Sequence, residues 1–187
     1  MRSYTEKTEE GKPYICCVII ICMKMPQLKR VTELIIQLHE AGIDPILYGS
    51  LGVSFYLGQF KSSFGDIDLL VQDKWLESDW AQMQKILASI GFALYDEHEH
   101  EFIDTSKQRV QFAKESVLLR DNVLSSLDEI ITVSIGELRV RTLTAKGFKN
   151  AYEFSIKDGY RRDTRKKDDD KVIALLDAYI NGNNLSS

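Results

Sequence analysis

The sequence predicts an α/β (α+β) fold, in which a small mixed β-sheet is flanked by helices and followed by C-terminal helices. Three observations support this fold class. Amphipathic helical patterns alternate with short apolar runs in the first half of the chain, as expected for helices that pack on a sheet. Two hairpin-like patterns follow and add antiparallel strands. From about residue 144 onward the pattern is helical.

The first half of the chain predicts two helices and two strands. Apolar residues fall on one face of a helix between Pro26 and Ala41, and Gly42 supplies its stop. Pro45 marks the next strand either as an edge strand or as a strand that starts there. The elements expected after this helix are a strand at 43–48, a short helix at 51–57 and a strand at 66–71.

The second half predicts one more amphipathic helix, several antiparallel strands and a helical end. Gly91 ends the helix, and a polar turn at 104–107 joins two of the strands. Thr144 can cap the first C-terminal helix. The expected ranges are a helix within 75–90, extended segments at 92–96 and 98–103, strands at 108–113, 130–135 and 138–143, and a last helix at 167–180.

Length and charge restrict the class of protein. At 187 residues the chain is expected to form a single domain from residue 25 to the end, and 44% of its residues are hydrophobic, which suffices for one core. The formal net charge of −4 argues against a surface that coats extended nucleic acid.

The first 24 residues are interpreted as a flexible or accessory segment. The apolar run at 15–23 is shorter than the roughly 20 residues that a membrane span needs. It is either an added edge strand or a tail translated from an upstream start codon. Three cysteines in this segment match neither a disulfide framework nor a paired zinc motif, so a reducing, cytoplasmic location without membrane insertion is expected. They are Cys16, Cys17 and Cys22.

Two acids one residue apart give the first chemical signal. Asp66 and Asp68 project to the same face of the predicted strand, because side chains alternate along a strand. Two carboxylates this close repel each other unless a cation or several donors lie between them. Mg²⁺ binds carboxylate and phosphate oxygens together. The rival interpretation is a solvated face of an antiparallel sheet.

A turn of small residues gives the second signal. Gly49 and Ser50 lie where a strand enters a short helix, and the backbone N–H groups at such a point can bind phosphate. The same two residues also suit a turn that needs a glycine and a helix cap. Together with the paired acids, they predict a site for a metal ion and a triphosphate.

The combination of the two motifs resembles the nucleotidyltransferase superfamily (polymerase-beta-like fold), which includes the kanamycin and lincosamide nucleotidyltransferases. Three segments resemble a group of small, uncharacterised bacterial members: Tyr48 to Gly52, Glu99 to Phe102 and Lys157 to Arg161. The resemblance covers roughly residues 25–179. It implies Mg²⁺ as the cofactor, held by Asp66 and Asp68, and an NTP, ATP foremost, as a substrate. The implied activity is transfer of a nucleoside monophosphate to an acceptor hydroxyl.

The resemblance also implies a third acid on a later strand, which activates the acceptor hydroxyl. The matching triplet here is Val110-Gln111-Phe112, and a glutamine cannot serve as a base. Glu99 and Glu101 share a face of the neighbouring predicted strand, so either is a candidate catalytic substitute. The alternative is a catalytically silent nucleotide- or partner-binding module on the same fold.

Basic residues before the last helix complete the candidates. Lys157, Arg161 and Arg162 could bind the phosphates of the nucleotide across the cleft, or they form a solvated loop whose bases pair with nearby acids. The expected partners are the nucleotide and an unidentified acceptor, either a small molecule or a protein. Membership of an oligomer, or of a toxin–antitoxin or phage-defence pair, is a third interpretation. The sequence does not indicate the acceptor or the nucleobase.

Overall fold

The computed structural model describes residues 26–59, 65–135, 138–159 and 163–184. The predictions made for the first 24 residues and for Arg161 and Arg162 fall outside the described residues. The strands of the described part are β1 (Ile46–Leu47), β2 (Ile67–Val71), β3 (Phe92–Asp96), β4 (Glu101–Asp104), β5 (Arg109–Lys114), β6 (Ile131–Ile135) and β7 (Leu138–Thr142). Its α-helices are α1 (Pro26–Glu40), α2 (Gly49–Leu57), α3 (Trp80–Ser89), α4 (Val117–Arg120), α5 (Ala145–Lys157) and α6 (Asp163–Asn184).

The strands form one mixed sheet in the order β3-β4-β5-β2-β1-β7-β6. β1 runs parallel to β7 and β2 runs parallel to β5, whereas the other neighbouring strands are antiparallel. The mixed sheet and its flanking helices confirm the predicted fold class. Within the described residues, no helix has the length and apolar character needed to cross a bilayer.

The sheet separates two layers of packing. On one face, β2 directs Ile67, Leu69 and Val71 into a core that includes the apolar side of α1. The buried stripe of α1 is fully withdrawn from water, as its predicted helical spacing requires. On the other face, Leu70 packs in a second cluster with Phe148 of α5. Because side chains alternate along β2, Asp68 belongs to this second face.

The strand β1 lies inside the sheet and not at its edge, which decides between the two interpretations of Pro45. Pro45 directly precedes β1, so the prediction of a strand start is right and that of an edge strand is wrong. β1 has two residues instead of the expected six, because proline lacks the N–H needed for a ladder bond and α2 begins already at Gly49. Thr142 secures the short strand by donating its hydroxyl to the carbonyl oxygen of Leu47 at 2.9 Å.

The prediction of an extended segment at 98–103 is wrong for its first residues. Residues 97–100 form a turn, and β4 begins at Glu101. The Asp96 carboxylate accepts the backbone N–H groups of His98 (2.9 Å) and Glu99 (3.2 Å). These side-chain bonds compete with a strand ladder for the same donors. His100 then adopts a positive φ of 49° and closes the turn.

Other element boundaries differ by a few residues. Thr144 caps α5 as predicted, because its hydroxyl oxygen accepts the N–H of Gly147 at 3.2 Å. The predicted helix at 75–90 divides into a short 3₁₀ turn and α3, and α6 is longer than expected. Two short elements have no counterpart in the prediction: α4 and a 3₁₀ turn at Leu127–Glu129. Elements this short carry no periodicity that a sequence pattern can reveal.

Asp104 is a buried carboxylate that ties the β4–β5 turn to α1. Its Oδ1 accepts the backbone N–H groups of Ser106 (2.8 Å) and Gln108 (3.0 Å), and its Oδ2 accepts Nε of Arg30 at 3.0 Å. Burial raises the pKa of Asp104, but these hydrogen bonds, together with one from the Ser106 hydroxyl, outweigh it. They hold the pKa below its ordinary value of 3.8.

We expect Asp104→Asn to lower the free energy of unfolding by about 1–3 kcal/mol at pH 7, because its amide adds donors where only acceptors fit. Since the folded-state pKa lies below the unfolded one, the carboxylate stabilises the fold above the unfolded pKa of about 3.9. That contribution is lost as the pH falls through the folded value. Urea unfolding should therefore show a smaller difference between variant and wild type at pH 3 than at pH 7.

Asp170→Asn, which neutralises an exposed aspartate on α6, is the control and should change stability little at either pH. A loss in Asp104→Asn of equal size at pH 3 and pH 7 would show that the charge of Asp104 contributes nothing to stability.

Candidate active site

The strand β2 places Asp68, one of the two predicted acids, where the sheet meets α2. Asp68 is half-buried within β2, and Asp66 is exposed directly before the strand begins. The backbone N–H of Tyr48, the residue before α2, donates to the carbonyl oxygen of Asp68 at 2.9 Å. The antiparallel register Leu47↔Leu69 therefore continues to the start of the helix. As a result, Asp68 and the Gly49 turn lie side by side.

Gly49 is in direct contact with the Asp68 carboxyl group. Its φ is +60°, a conformation that side chains disfavour. A Cβ built on Gly49 would overlap Oδ2 of Asp68 and lie 2.8 Å from its Cγ. The turn thus needs glycine for two independent reasons. The Gly49 turn and Asp68, one of the two predicted acids, meet at this contact.

A cavity of about 700 Å³ opens beside this contact. Of the two acids, Asp68 lines it, together with Tyr48 and Gly49. Its opposite walls come from α4 and from the end of α5, where Arg120, Asp121, Phe154, Ser155 and Asp158 face the cavity. Sequence analysis missed the α4 wall, because a four-residue helix gives no periodic signal. The cavity has the size of those that hold small-molecule ligands.

Gln111 occupies the strand position beside Asp68. The two residues are register partners in the parallel β2–β5 pair, and Gln111 is in turn the register partner of Glu101 in the β4–β5 pair. All three side chains therefore share one face of the sheet. Gln111 lines the cavity, and its Nε2 donates to Oε2 of Glu99 at 3.2 Å. Glu99 also lines the cavity, although the turn that carries it was predicted as a strand.

Glu101 has a different partner. Its Oε1 accepts Nη1 of Arg109 at 3.1 Å, and the Arg109 guanidinium lies over the ring of Tyr95 at 4.5 Å from its centroid. The negative charge of Glu101, with a smaller contribution from Asp66, raises the pKa of Arg109. Arg109 is thus a cation beside the exposed acid, and sequence reasoning did not single it out.

The predicted phosphate-binding residues do not all meet at the cavity. Ser50 lines a separate, neighbouring cavity of about 220 Å³ between α2 and the C-terminal helices, and its carbonyl oxygen accepts the hydroxyl of Ser54 at 3.0 Å. Lys157 is exposed in the last turn of α5. It precedes Asp158, which does line the cavity. The roles assigned to Ser50 and Lys157 remain predictions.

The donor set fits a magnesium ion whose ligands come partly from the protein and partly from a substrate. In the described part of the chain, no three His, Cys, Asp or Glu side chains cluster closely enough to hold a metal ion. Asp68 in β2 and Asp66 directly before the strand supply hard carboxylate oxygens. Mg²⁺ typically uses one or two carboxylates and completes its coordination with phosphate oxygens and water. Asp68, which lines the cavity, and Asp66, two positions earlier in the chain, supply carboxylates of this kind.

Known protein families provide no match to the chain. One individual protein is a clear relative. The chain is 32% identical over 142 residues to the uncharacterized protein YnaI of Bacillus subtilis (strain 168). The match spans 75% of this chain and 88% of that protein.

Three solved structures share the fold. The lincosamide antibiotic adenylyltransferase LnuA, in its lincomycin-bound crystal structure, superimposes with a TM-score of 0.57 at 13% identity, over 79% of this chain and 96% of its own. ANT(2'')-Ia in complex with adenylyl-2''-tobramycin superimposes with a TM-score of 0.54 at 11% identity, over 84% of this chain and 98% of its own. An antigenic nucleotidyltransferase-like protein from Paracoccidioides brasiliensis superimposes with a TM-score of 0.56 at 15% identity, over 79% of this chain and 73% of its own. The chain has the nucleotidyltransferase fold and belongs to the family of YnaI.

Proposed function

We propose that this protein is a Mg²⁺-dependent nucleotidyltransferase that moves a nucleoside monophosphate from an NTP, ATP foremost, to a hydroxyl of an unidentified acceptor. The observation that carries the proposal is the contact between Asp68 and Gly49 at the edge of the 700 Å³ cavity. Asp66 and Asp68 would hold the metal ion, and the backbone at the start of α2 would lie against the phosphates. Bound Mg²⁺ supplies charge compensation for the triphosphate and its leaving group.

The neighbours support a small molecule as the acceptor. LnuA is an adenylyltransferase of a lincosamide antibiotic, and ANT(2'')-Ia is described with an adenylylated tobramycin. Both have the fold found here. The cavity has room for a ligand of drug size, because pockets for such ligands measure about 300–1,000 Å³. Lincomycin and tobramycin are therefore the first probes, with water as the simplest acceptor.

Gln111 favours a second candidate function. An acid is expected at this strand position in the superfamily, and the structure places Gln111 beside Asp68 in register. A protein that binds the nucleotide and lacks a base for the acceptor would be a silent nucleotide-binding module. Incubation with α-³²P-labelled ATP, Mg²⁺ and each probe separates the two candidates. Nucleotide bound without transfer or release of pyrophosphate indicates the silent module.

Asp68→Asn should abolish the metal-dependent part of nucleotide binding. Neutralising a ligand that is worth several kcal/mol predicts a loss of about 100-fold or more in transfer rate. Isothermal titration calorimetry with α,β-methylene-ATP, in the presence of Mg²⁺ and after chelation with EDTA, measures the binding part. Asp44→Asn is the control, because Asp44 precedes β1 at the end of the sheet remote from Asp66. Equal nucleotide affinity with and without Mg²⁺ in the wild type would contradict the proposal.

Gly49→Ala tests whether the close contact with Asp68 matters. Gly58→Ala is a matched control, because Gly58 also has a positive φ (65°) but a Cβ there meets nothing within 4 Å. Both variants should lose about 1–2 kcal/mol of stability from the left-handed backbone conformation. In Gly49→Ala the Asp68 carboxyl group must also move, so Mg²⁺-dependent binding of α,β-methylene-ATP should fall at least tenfold further than in Gly58→Ala. The same nucleotide affinity in both variants would exclude a role for the contact.

A further inference from the structure

We infer that Glu99, and not Glu101, accepts the proton of the acceptor hydroxyl, and that Gln111 is a positioning residue that orients the Glu99 carboxylate. The inference rests on the proposed function. It selects between the two glutamates that the sequence left as equal candidates, and it assigns a role to the glutamine at the expected acid position.

Gln111 cannot act as the base, but it can direct one. Its amide has no group that takes up a proton near neutral pH. It lies next to Asp68 in the parallel β2–β5 register, on the floor of the cavity. From there Nε2 donates to Oε2 of Glu99 at 3.2 Å. The Glu99 carboxylate is thus hydrogen-bonded to the register neighbour of Asp68, and both glutamate and aspartate line the same cavity.

Four further contacts fix the turn that carries Glu99. The Asp96 carboxylate accepts the backbone N–H groups of His98 and Glu99 at 2.9 and 3.2 Å. The carbonyl oxygen of His100 accepts the N–H of Phe112 at 3.2 Å, which joins the turn to β5. The ring of His100 packs edge-on against Trp80, with 5.0 Å between ring centroids. A carboxylate on a turn held at both ends keeps its direction, as a base must.

Glu101 is unsuited to the same role. Its carboxylate forms an ion pair with Arg109 at 3.1 Å, and its side chain is only 14% exposed. The guanidinium is itself stacked on Tyr95. Taking up a proton would forfeit this charge-assisted pair. Of the two glutamates, moreover, it is Glu99 that lines the cavity shared with Asp68.

The proposed step forms one P–O bond and breaks another. The acceptor oxygen attacks the α-phosphorus of the NTP and forms a new P–O bond. The bond from the α-phosphorus to the oxygen that bridges to the β-phosphorus breaks, and pyrophosphate leaves with that electron pair. The acceptor proton passes to the Glu99 carboxylate, which later returns it to solvent. Gln111 takes no part in these bonds and keeps the carboxylate in place.

An exchange of the two side chains tests the inference. Glu99→Gln removes the base, and Glu99→Gln/Gln111→Glu returns a carboxylate beside Asp68 with the same net charge and the same amide–carboxylate pairing. Glu97→Gln is the matched control: Glu97 lies in the same turn, but its carboxylate accepts Nε1 of Trp80 at 3.2 Å instead. Glu101→Gln tests the rival glutamate. Each variant is measured for pyrophosphate release from Mg²⁺-ATP with water, lincomycin or tobramycin, and for affinity to α,β-methylene-ATP by calorimetry.

Loss of a general base predicts a release rate about 100-fold lower in Glu99→Gln, with nucleotide affinity within about twofold of wild type. The exchanged double variant should recover at least tenfold over Glu99→Gln. Gln111→Leu should lower the rate with nucleotide affinity unchanged, which a merely structural defect would not do. A wild-type rate in Glu99→Gln, a larger loss in Glu101→Gln, or a double variant no faster than the single one would overturn the inference. Wild-type protein that binds nucleotide without releasing pyrophosphate would instead contradict the proposed function.

Discussion

The close approach of the Asp68 carboxyl group to Gly49 is the constraint on which the candidate site depends. It requires a residue without Cβ at position 49, with a positive φ, at the point where β1 gives way to α2. It also requires β1 and β2 to pair in one register, which the bond from Tyr48 N–H to the Asp68 carbonyl oxygen extends to the helix start. The glycine turn and the β1–β2 register therefore depend on each other, and the turn and Asp68 form a single unit.

The surrounding packing keeps that unit in place. Helix α2 approaches the end of β1 so closely that a Cβ on Gly52 would lie 2.7 Å from the Leu47 carbonyl oxygen and 2.8 Å from the Phe148 ring. On the far face of β2, Ile67, Leu69 and Val71 are buried in the main core. A one-residue slip of β2 would move these apolar side chains to the cavity face and the acids into the core. The core thus fixes the register that the site needs.

Much of this arrangement could be predicted from the sequence, since it depends on local rules. The two-residue period of a strand assigns Asp68 to the face opposite Ile67 and Leu69, and a glycine before a helix indicates a turn with open backbone. The position of Glu99 could not be predicted in the same way. It depends on Asp96 diverting two backbone N–H groups from the sheet and on a hydrogen bond to Gln111, twelve positions further along the chain. The pairing of Glu101 with Arg109 is likewise set by strand register.

The sheet explains how an acid can change its position without a change of fold. Neighbouring strands bring Asp68, Gln111 and Glu101 into one row on a single face, and the turn before β4 ends beside that row. The carboxylate of Glu99, which the turn supplies, lines the same cavity as Gln111 and is hydrogen-bonded to it at 3.2 Å. An amide at position 111 then satisfies the incoming carboxylate, where a second acid would repel it. Gln111 is therefore the hydrogen-bond partner of Glu99, which is the geometry that a base supplied from the turn in place of β5 requires.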